Sequence, residues 1–489
     1  MNIAFRTDSS FTIGTGHVHR CLNIARKFKE KKIKCYFFSN KYPGNINNII
    51  KNEFNLFELS TKYSKNIYSY KNNITDANST IKLIKKLNID LLFLDSYLIN
   101  EKWEKKISKF CKIVFLSDFL DRKSYCDYYI NYNTLYEGPY MEKNLPQDSK
   151  KLIGTNYSIV KKFSINEKKK LKKKITVFMG GVDKKNFTKK LVSSLSDKLF
   201  KNFEKNIIIG VRNRNINHIK KQVDNLKDFK IIKGNKKNLY SIFSNSKLVI
   251  TGVSTSMHEH LVLGTNSIVI PQNKLQNRII NNLSSLNLIN FAKYKKEIDK
   301  NYINKILNQK NLLIKKKILK NLIDTKGSDR IVEYFLSKNI TQKAKFKKAS
   351  NEDIFFLFKL VNDPDVIRNS LSKKNVNFKN HNHWFKKALQ KKNISILIFK
   401  TVNHKLGQVR FDTNSKKQTF ITYAVANEFR GANVGYKMLN LAIKKNSIKT
   451  NLYAIVKKNN EASKKIFKKL RFLLFKKDEK RGLVYYSKK

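Results

Sequence analysis

The chain has 489 residues, 41% of them hydrophobic, which is enough for two to four domains with buried cores and excludes a small stapled module or a disordered tail. Its four cysteines (Cys21, Cys35, Cys111, Cys126) form no C-x-x-C pair and have no histidine at metal-ligand spacing, so neither a zinc module nor a disulfide framework is expected, and a reducing cytoplasm fits. The formal charge of +66 would ordinarily point to nucleic acid or an anionic membrane, but 89 of the 102 cations are lysines spread along the whole length, so the charge reads as a solvated surface biased toward A- and T-rich codons, with no nucleic-acid or membrane partner.

From Asn2 to about Asn133 short β-rich runs alternate with helical stretches: NIAFRTD, a helix from about His17 to Lys31, KCYFFS, DLLFLDSY and KIVFLSD. This is an α/β repeat with a parallel sheet. A second repeat starts at Lys174 with ITVFMGG and continues through NIIIGV, FKIIKG, KLVITGV and SIVIPQN. The segment KNITQKAKFKKAS reads as a linker. After it come an amphipathic helix around Glu352 to Val361, an antiparallel pair ISILIFK and KLGQVRFD, a strand TFITYAV, a glycine-bearing turn, a helix, and a strand LYAIV. The expected layout is a Rossmann-like domain over 1–165, a second over 166–337, a linker over 338–345 and an α+β domain over 346–489. No run of about 18 apolar residues occurs, so neither a membrane span nor a signal peptide is expected.

Strand Asn2–Arg6 runs through Asp8 and Ser10 into Gly14-Thr15-Gly16-His17. Glycines let the backbone approach a ligand, and the helix starting near His17 directs free N–H groups at it. A helix N-terminus disfavours an imidazolium, so His17 is suited to take a proton from water, although capping the helix is an equally open role. The stretch Phe5-Arg6-x-Asp8-x-Ser10-x-x-Ile13-Gly14-x-Gly16-His17-x-x-Arg20-Cys21 resembles the start of the UDP-2,4-diacetamido-2,4,6-trideoxy-altropyranose hydrolases of pseudaminic acid biosynthesis, relatives of two-domain GT-B glycosyltransferases. Asp95-Ser96-Tyr97, Asp118, Asn131 and Asn133 fall where that family has polar site residues, and the similarity extends over about 335 residues. The resemblance implies that His17 is the catalytic histidine, that Asp8 and Tyr97 are sugar-side contacts in the catalytic site, and that Gly14 and Gly16 line a UDP site.

In the second repeat, ITVFM ends in Gly180-Gly181-x-Asp183-x-x-Asn186, and KLVIT ends in Gly252-x-Ser254-Thr255-x-x-His258-Glu259. Small residues at such strand-turn-helix junctions leave room for a diphosphate, hydroxyls can cap the helix or donate to phosphate, and Glu259 one turn on suits two vicinal ribose hydroxyls. The same resemblance makes these segments, with His258 and Asn273, the UDP-binding elements. His258 and Lys274 depart from the residues usual there. No D-x-D motif accompanies either strand, so no metal is expected.

Downstream, Arg430-Gly431-Ala432-Asn433-Val434-Gly435 follows a strand and opens a helix, as a loop that wraps a pyrophosphate in backbone N–H groups would. Asn433 stands at a middle-glycine position; Asn tolerates a left-handed backbone, so the loop is expected to survive. With Asn460, Ser463 and Phe467 in V-x-x-x-N-x-A-S-x-x-x-F, it resembles the GCN5-related N-acetyltransferases (GNAT). That implies an acetyl-CoA site at Val425, Arg430 to Gly435, Asn460, Ser463 and Phe467, the last replacing a Tyr thiol donor. Asn362, His381, Trp384 and Arg410 resemble positions in acetyltransferases fused to or paired with these hydrolases, and would hold an amino-sugar acceptor. The combined expectation is an acetylation of a 4-amino UDP-sugar followed by hydrolytic loss of UDP. The alternatives are a GT-B sugar transferase with an acyl-modifying domain, or a polybasic nucleic-acid or membrane-surface binder.

Overall fold

The computed structural model describes residues 1–59, 70–118, 120, 122–133, 139–160, 173–181, 183, 185–210, 213, 215–234, 239–253, 255–272, 276–277, 280, 286, 289–292, 298–309, 319, 321–337, 339–372, 374–445 and 451–488. They form two compact units, the first ending at Val332 and the second continuing from Glu333.

The first unit holds two parallel sheets. β1 (Asn2–Thr7), β2 (Lys34–Asn40), β3 (Asn55–Leu59), β4 (Leu91–Asp95), β5 (Lys112–Leu116), β6 (Tyr128–Asn131) and β7 (Lys150–Ile153) are ordered β3-β2-β1-β4-β5-β6-β7. The strands are near-continuous apolar runs because helices cover both faces of a parallel sheet. Phe5 pairs with Phe37 on one side and Phe93 on the other, and the three rings stack at 5.0 and 4.9 Å. The helix Gly16–Glu30 buries Val18, Cys21, Leu22, Ala25 and Phe28, one stripe at helical spacing.

β8 (Lys174–Phe178), β9 (Glu204–Gly210), β10 (Phe229–Gly234), β11 (Leu248–Gly252), β12 (Ser267–Ile270) and β13 (Asn290–Phe291) repeat the pattern in the order β10-β9-β8-β11-β12-β13. Two Rossmann-like sheets in tandem make this unit a GT-B fold. In each sheet the strand order reverses between the first strand and the fourth, β1/β4 and β8/β11, and that switch point opens the crevice where ligands of such sheets bind. The segment after the second sheet returns to the first domain: Thr155 Oγ1 donates to the Leu322 carbonyl at 2.6 Å, and Arg330 donates to the Asn156 carbonyl at 2.7 Å. Gly327 lies so close to Ser158 that an added Cβ would sit 2.1 Å from its carbonyl oxygen.

The second unit is a mixed sheet ordered β14-β15-β16-β17-β18-β20-β19, from β14 (Lys345–Lys348), β15 (Ile394–Lys400), β16 (Lys405–Thr413), β17 (Thr419–Val425), β18 (Leu452–Lys457), β19 (Leu473–Asp478) and β20 (Leu483–Lys488). All its pairs are antiparallel except β17 with β18. Within and just after the expected linker, Ile340–Lys343 is a 3₁₀ turn and β14 starts at Lys345, where Phe346 packs against Phe399 at 5.0 Å while the strand's lysines stay exposed. All four cysteines are free and buried. No described helix is long and apolar enough to cross a membrane.

Candidate active sites

At the β1/β4 switch point His17 occupies the first turn of its helix, 5% exposed, with Nδ1 at 2.5 Å from Asp95 Oδ1 at the end of β4. Arg20, one turn on, donates to Asp95 through Nε at 3.0 Å and NH2 at 2.7 Å, and through NH1 to Asp118 and to Tyr132 OH. Burial works against the Asp95 carboxylate, but Arg20 and His17 outweigh it and hold the carboxyl below its ordinary range. An ionised Asp95 accepting from Nδ1–H leaves the lone pair on Nε2 and stabilises the imidazolium that proton transfer creates. Tyr97, 43% exposed, sets its ring edge-on to His17 at 4.5 Å and donates to Asp118 at 2.9 Å. His17, Tyr97, Asp95, Arg20 and Asp118 are thus one constellation. The sequence showed Asp95 and Asp118 as polar residues at positions the resemblance marks, and Arg20 within its opening motif, without revealing that they meet.

Asp8 does not join them. Its carboxylate is sealed, paired with Arg6 at 2.8 Å and accepting the Asn40 N–H at 2.8 Å. Arg6 also binds Asp76, which further accepts from Asn40 Nδ2 and Trp103 Nε1. A buried cation between two carboxylates ties β1, β2 and the helix Tyr70–Lys86 together, so Asp8 is a strut, not a sugar contact.

His258 also departs from expectation. Asn133 Nδ2 donates to Asp118 at 2.6 Å, so its Oδ1 accepts from His258 Nε2 at 2.7 Å, and Nδ1 then accepts from the Ser158 hydroxyl at 2.9 Å. Burial pushes this imidazole down to about 4. With both nitrogens engaged, His258 staples the two Rossmann-like domains together instead of facing a nucleotide.

On the β8/β11 side, Gly180 has φ 88° and a Cβ added to either Gly180 or Gly181 would meet open space, so backbone there is accessible to a ligand. Gly14 and Gly16 are similarly open. Asp183 accepts from the N–H groups of Phe187 and Thr188, capping the helix Phe187–Leu195, while Asn186 adopts φ 50° with no capping bond. The helix Thr255–Leu263 follows Gly252, and on it Glu259 is buried, accepting from Tyr240 OH at 3.2 Å. Ser254, Asn273 and Lys274 lie outside the described residues, as does the side chain of Thr255.

In the second unit, β17 leads into the turn Arg430–Gly435 and the helix Val434–Lys445. Gly431 has φ 84° and Asn433 φ 57°, so Asn433 does take the left-handed backbone. Alternation of handedness turns successive N–H groups to one side, an anion-binding concavity at a helix N-terminus. β17 and β18 pair only at Thr419/Leu452 and Phe420/Tyr453, so among the described residues their ladder stops there and the strands part beside the turn. Residues 345–473 match the family model of the acetyltransferase (GNAT) domain.

The C-terminal unit carries a GNAT domain.

Over its whole length the chain is 25% identical to the uncharacterized protein MJ1062 of Methanocaldococcus jannaschii, across 513 aligned positions covering 99% of each. It is 28% identical over 200 residues to the UDP-2,4-diacetamido-2,4,6-trideoxy-beta-L-altropyranose hydrolase of Campylobacter jejuni, which covers 40% of this chain and 66% of that enzyme. The crystal structure of Campylobacter jejuni N-acetyltransferase PseH in complex with acetyl coenzyme A is similar to 30% of this chain and 98% of its own, with 21% identity and a TM-score of 0.24.

Within the GNAT domain several expected contacts serve the fold. The Arg430 guanidinium binds Asp365 at 2.5 Å, Asp363 at 2.6 Å and the Val425 carbonyl at 3.1 Å, which leaves its backbone to the loop. Asn460 Oδ1 caps the helix Glu461–Lys469 by accepting from Ser463 N–H at 3.1 Å. Asn362 exchanges hydrogen bonds with both backbone groups of Val376 and donates to the Phe358 carbonyl. His381 is buried against Phe358, Trp384 and Phe385, and burial pushes it down to about 4. Asn362 thus spends its amide on the backbone, whereas His381 Nε2 is buried without a hydrogen-bond partner among the described residues. Trp384 and Arg410 do come together: Trp384 is 40% exposed, the Arg410 guanidinium lies 5.4 Å from its ring centroid, and Arg410 Nε donates to Asp412 at 2.7 Å. Phe467 is packed into the core against Tyr423, Phe472 and Tyr486.

Proposed function

We propose that the chain is a bifunctional nucleotide-sugar enzyme of pseudaminic acid biosynthesis. Its GNAT domain, within 346–489, acetylates the 4-amino group of UDP-4-amino-4,6-dideoxy-N-acetyl-altrosamine, and the Rossmann-like domains, over 1–165 and 166–337, then remove UDP by hydrolysis. The observation that carries this reading is the buried His17–Asp95 pair at a switch-point crevice, in a chain that also bears a GNAT domain. The partial identity to an altropyranose hydrolase narrows the substrate class.

In the hydrolytic step His17 Nε2 takes a proton from water as the water oxygen bonds to the anomeric carbon, and the carbon–oxygen bond to UDP breaks with its electron pair leaving on the diphosphate. Asp95 balances the imidazolium, and Tyr97 and Asp118 line the sugar side. Open backbone at Gly14, Gly16, Gly180 and Gly181, with Gly252, Ser254, Thr255, Asn186 and Asn273, receives the nucleotide, and Glu259 holds the ribose. In the other domain the N–H groups of Arg430 to Gly435 hold the acetyl-CoA pyrophosphate, while Trp384 and Arg410 face the amino sugar. The amine nitrogen attacks the thioester carbonyl, the amide forms, and the carbon–sulfur bond breaks.

The test is UDP release from the 4-amino UDP-sugar with and without acetyl-CoA, for wild type, His17→Ala and Gly435→Trp. Release that requires both acetyl-CoA and His17, with Gly435→Trp still hydrolysing pre-acetylated substrate, is expected. Acetylation without any UDP release sinks the hydrolase half and leaves a transferase that awaits an acceptor.

A further inference from the structure

Expelling coenzyme A places a negative charge on sulfur, and Phe467, where related enzymes carry a phenol, has no proton to give. We propose that Tyr423, on β17, is the group that protonates the departing thiolate, with Ser463 holding its hydroxyl; this rests on the acetyl-CoA reading above.

The placement is specific. Tyr423 lies three residues beyond Phe420, where the β17–β18 ladder ends, so it stands in the part of β17 that has separated from β18. Its hydroxyl reaches across that opening to Ser463 Oγ at 2.9 Å, on the helix that follows β18. Its ring lies beneath the first turn after the pyrophosphate loop: a Cβ on Gly435 would be 3.4 Å from Tyr423 Cε2. The ring centroids of Tyr423 and Phe467 are 6.0 Å apart, so the phenol is offered from the neighbouring position on the facing strand. Phe467 is turned into the core, whereas Tyr423 is only half-buried.

Either hydroxyl of the Tyr423–Ser463 pair can be the donor, so the phenolic hydrogen is free to turn to sulfur while Ser463 donates to the phenol oxygen. Burial raises the phenol pKa, although Ser463 opposes it, which keeps the acid protonated at working pH. The step balances as follows. The carbon–sulfur electron pair stays on sulfur, the Tyr423 proton passes to it, and the proton lost from the acylated nitrogen returns through Ser463 or water to restore the phenol.

The experiment compares wild type, Tyr423→Phe, Ser463→Ala and the double variant Tyr423→Phe/Phe467→Tyr. Acetyl transfer is measured together with calorimetric binding of coenzyme A and of desulfo-coenzyme A. Tyr423→Phe is expected to lower kcat about 10²-fold or more, with KM for acetyl-CoA within twofold. It should also abolish the wild-type preference for coenzyme A over desulfo-coenzyme A at high pH, while desulfo-coenzyme A binds unchanged and so reports a folded site. Ser463→Ala should fall between the two, and moving the phenol to position 467 should recover at least tenfold. A Tyr423→Phe variant that keeps kcat within threefold of wild type and retains the preference overturns this assignment alone. A wild-type chain that binds neither nucleotide overturns the acetyl-CoA reading, and this assignment with it.

Discussion

Replacing Asp95 by Asn tests whether His17 works as half of a pair. Asp95 accepts four hydrogen bonds in a sealed site: Oδ1 from His17 Nδ1 and Arg20 NH2, Oδ2 from Arg20 Nε and, more weakly, from Cys21 Sγ. An Asn side chain has one oxygen for these donors. If that oxygen keeps the Oδ1 place, the amide nitrogen meets Arg20 Nε, donor against donor, at a stability cost of about 1–3 kcal/mol. If the amide flips, it donates to Nδ1, the imidazole carries its hydrogen on Nε2, and no lone pair faces water. In either state the imidazolium loses its counter-charge. The expected fall in kcat for UDP release from pre-acetylated substrate is about 10³-fold, or roughly 4 kcal/mol of barrier, with KM within threefold. Arg20 retains Asp118 and Tyr132, so the fold should persist, as a urea melt would verify. A folded Asp95→Asn enzyme with kcat within tenfold of wild type would refute the pairing.

The buried histidines predict an acid-side loss of stability in the first unit. His258 and His260 are pushed by burial to about 4 and about 3; with an unfolded value of about 6.5, the unfolded chain takes protons that the native one refuses, so stability is full above that pH and drops on acidification by about 1.4 kcal/mol per unit for each group. His258→Asn should roughly halve the slope between pH 6 and 4 in denaturant melts, and an unchanged slope would mean that another group sets it. Arg471 sits at φ 61° just past the helix Glu461–Lys469, where Phe472 N–H bonds back to the Phe467 carbonyl and their rings meet at 5.0 Å. Relief of about 1–2 kcal/mol of left-handed strain outweighs glycine's extra unfolded-state entropy of about 0.4–1 kcal/mol, so Arg471→Gly should stabilise the GNAT domain by about 0.5–1 kcal/mol, and a lower melting temperature would contradict this.

Local chemistry along the chain was enough to place the strands, the glycine turns and the helix starts. Apolar runs of strand length, Gly14 and Gly16 before a helical stripe, and Asn433 in a loop that needs a left-handed residue all act over a few neighbours, where sequence period and backbone sterics decide. The partners of polar side chains were not legible in that way. Asp95 is 78 residues from His17 and reaches it because β4, not β2, flanks β1 on the crevice side; His258 is 125 residues from Asn133 and meets it across two domains. Asp8 and Asn362 looked like ligand contacts because their types are polar and their neighbours motif-like, yet burial turned them to Arg6 and to the backbone of Val376. Tyr423 reads in the sequence as an ordinary strand aromatic, and becomes a candidate acid only where β17 and β18 part and Ser463 approaches from the next helix. Periodicity records which face of an element is buried; the order of strands in a sheet and the divergence of two neighbours determine which charges share that interior.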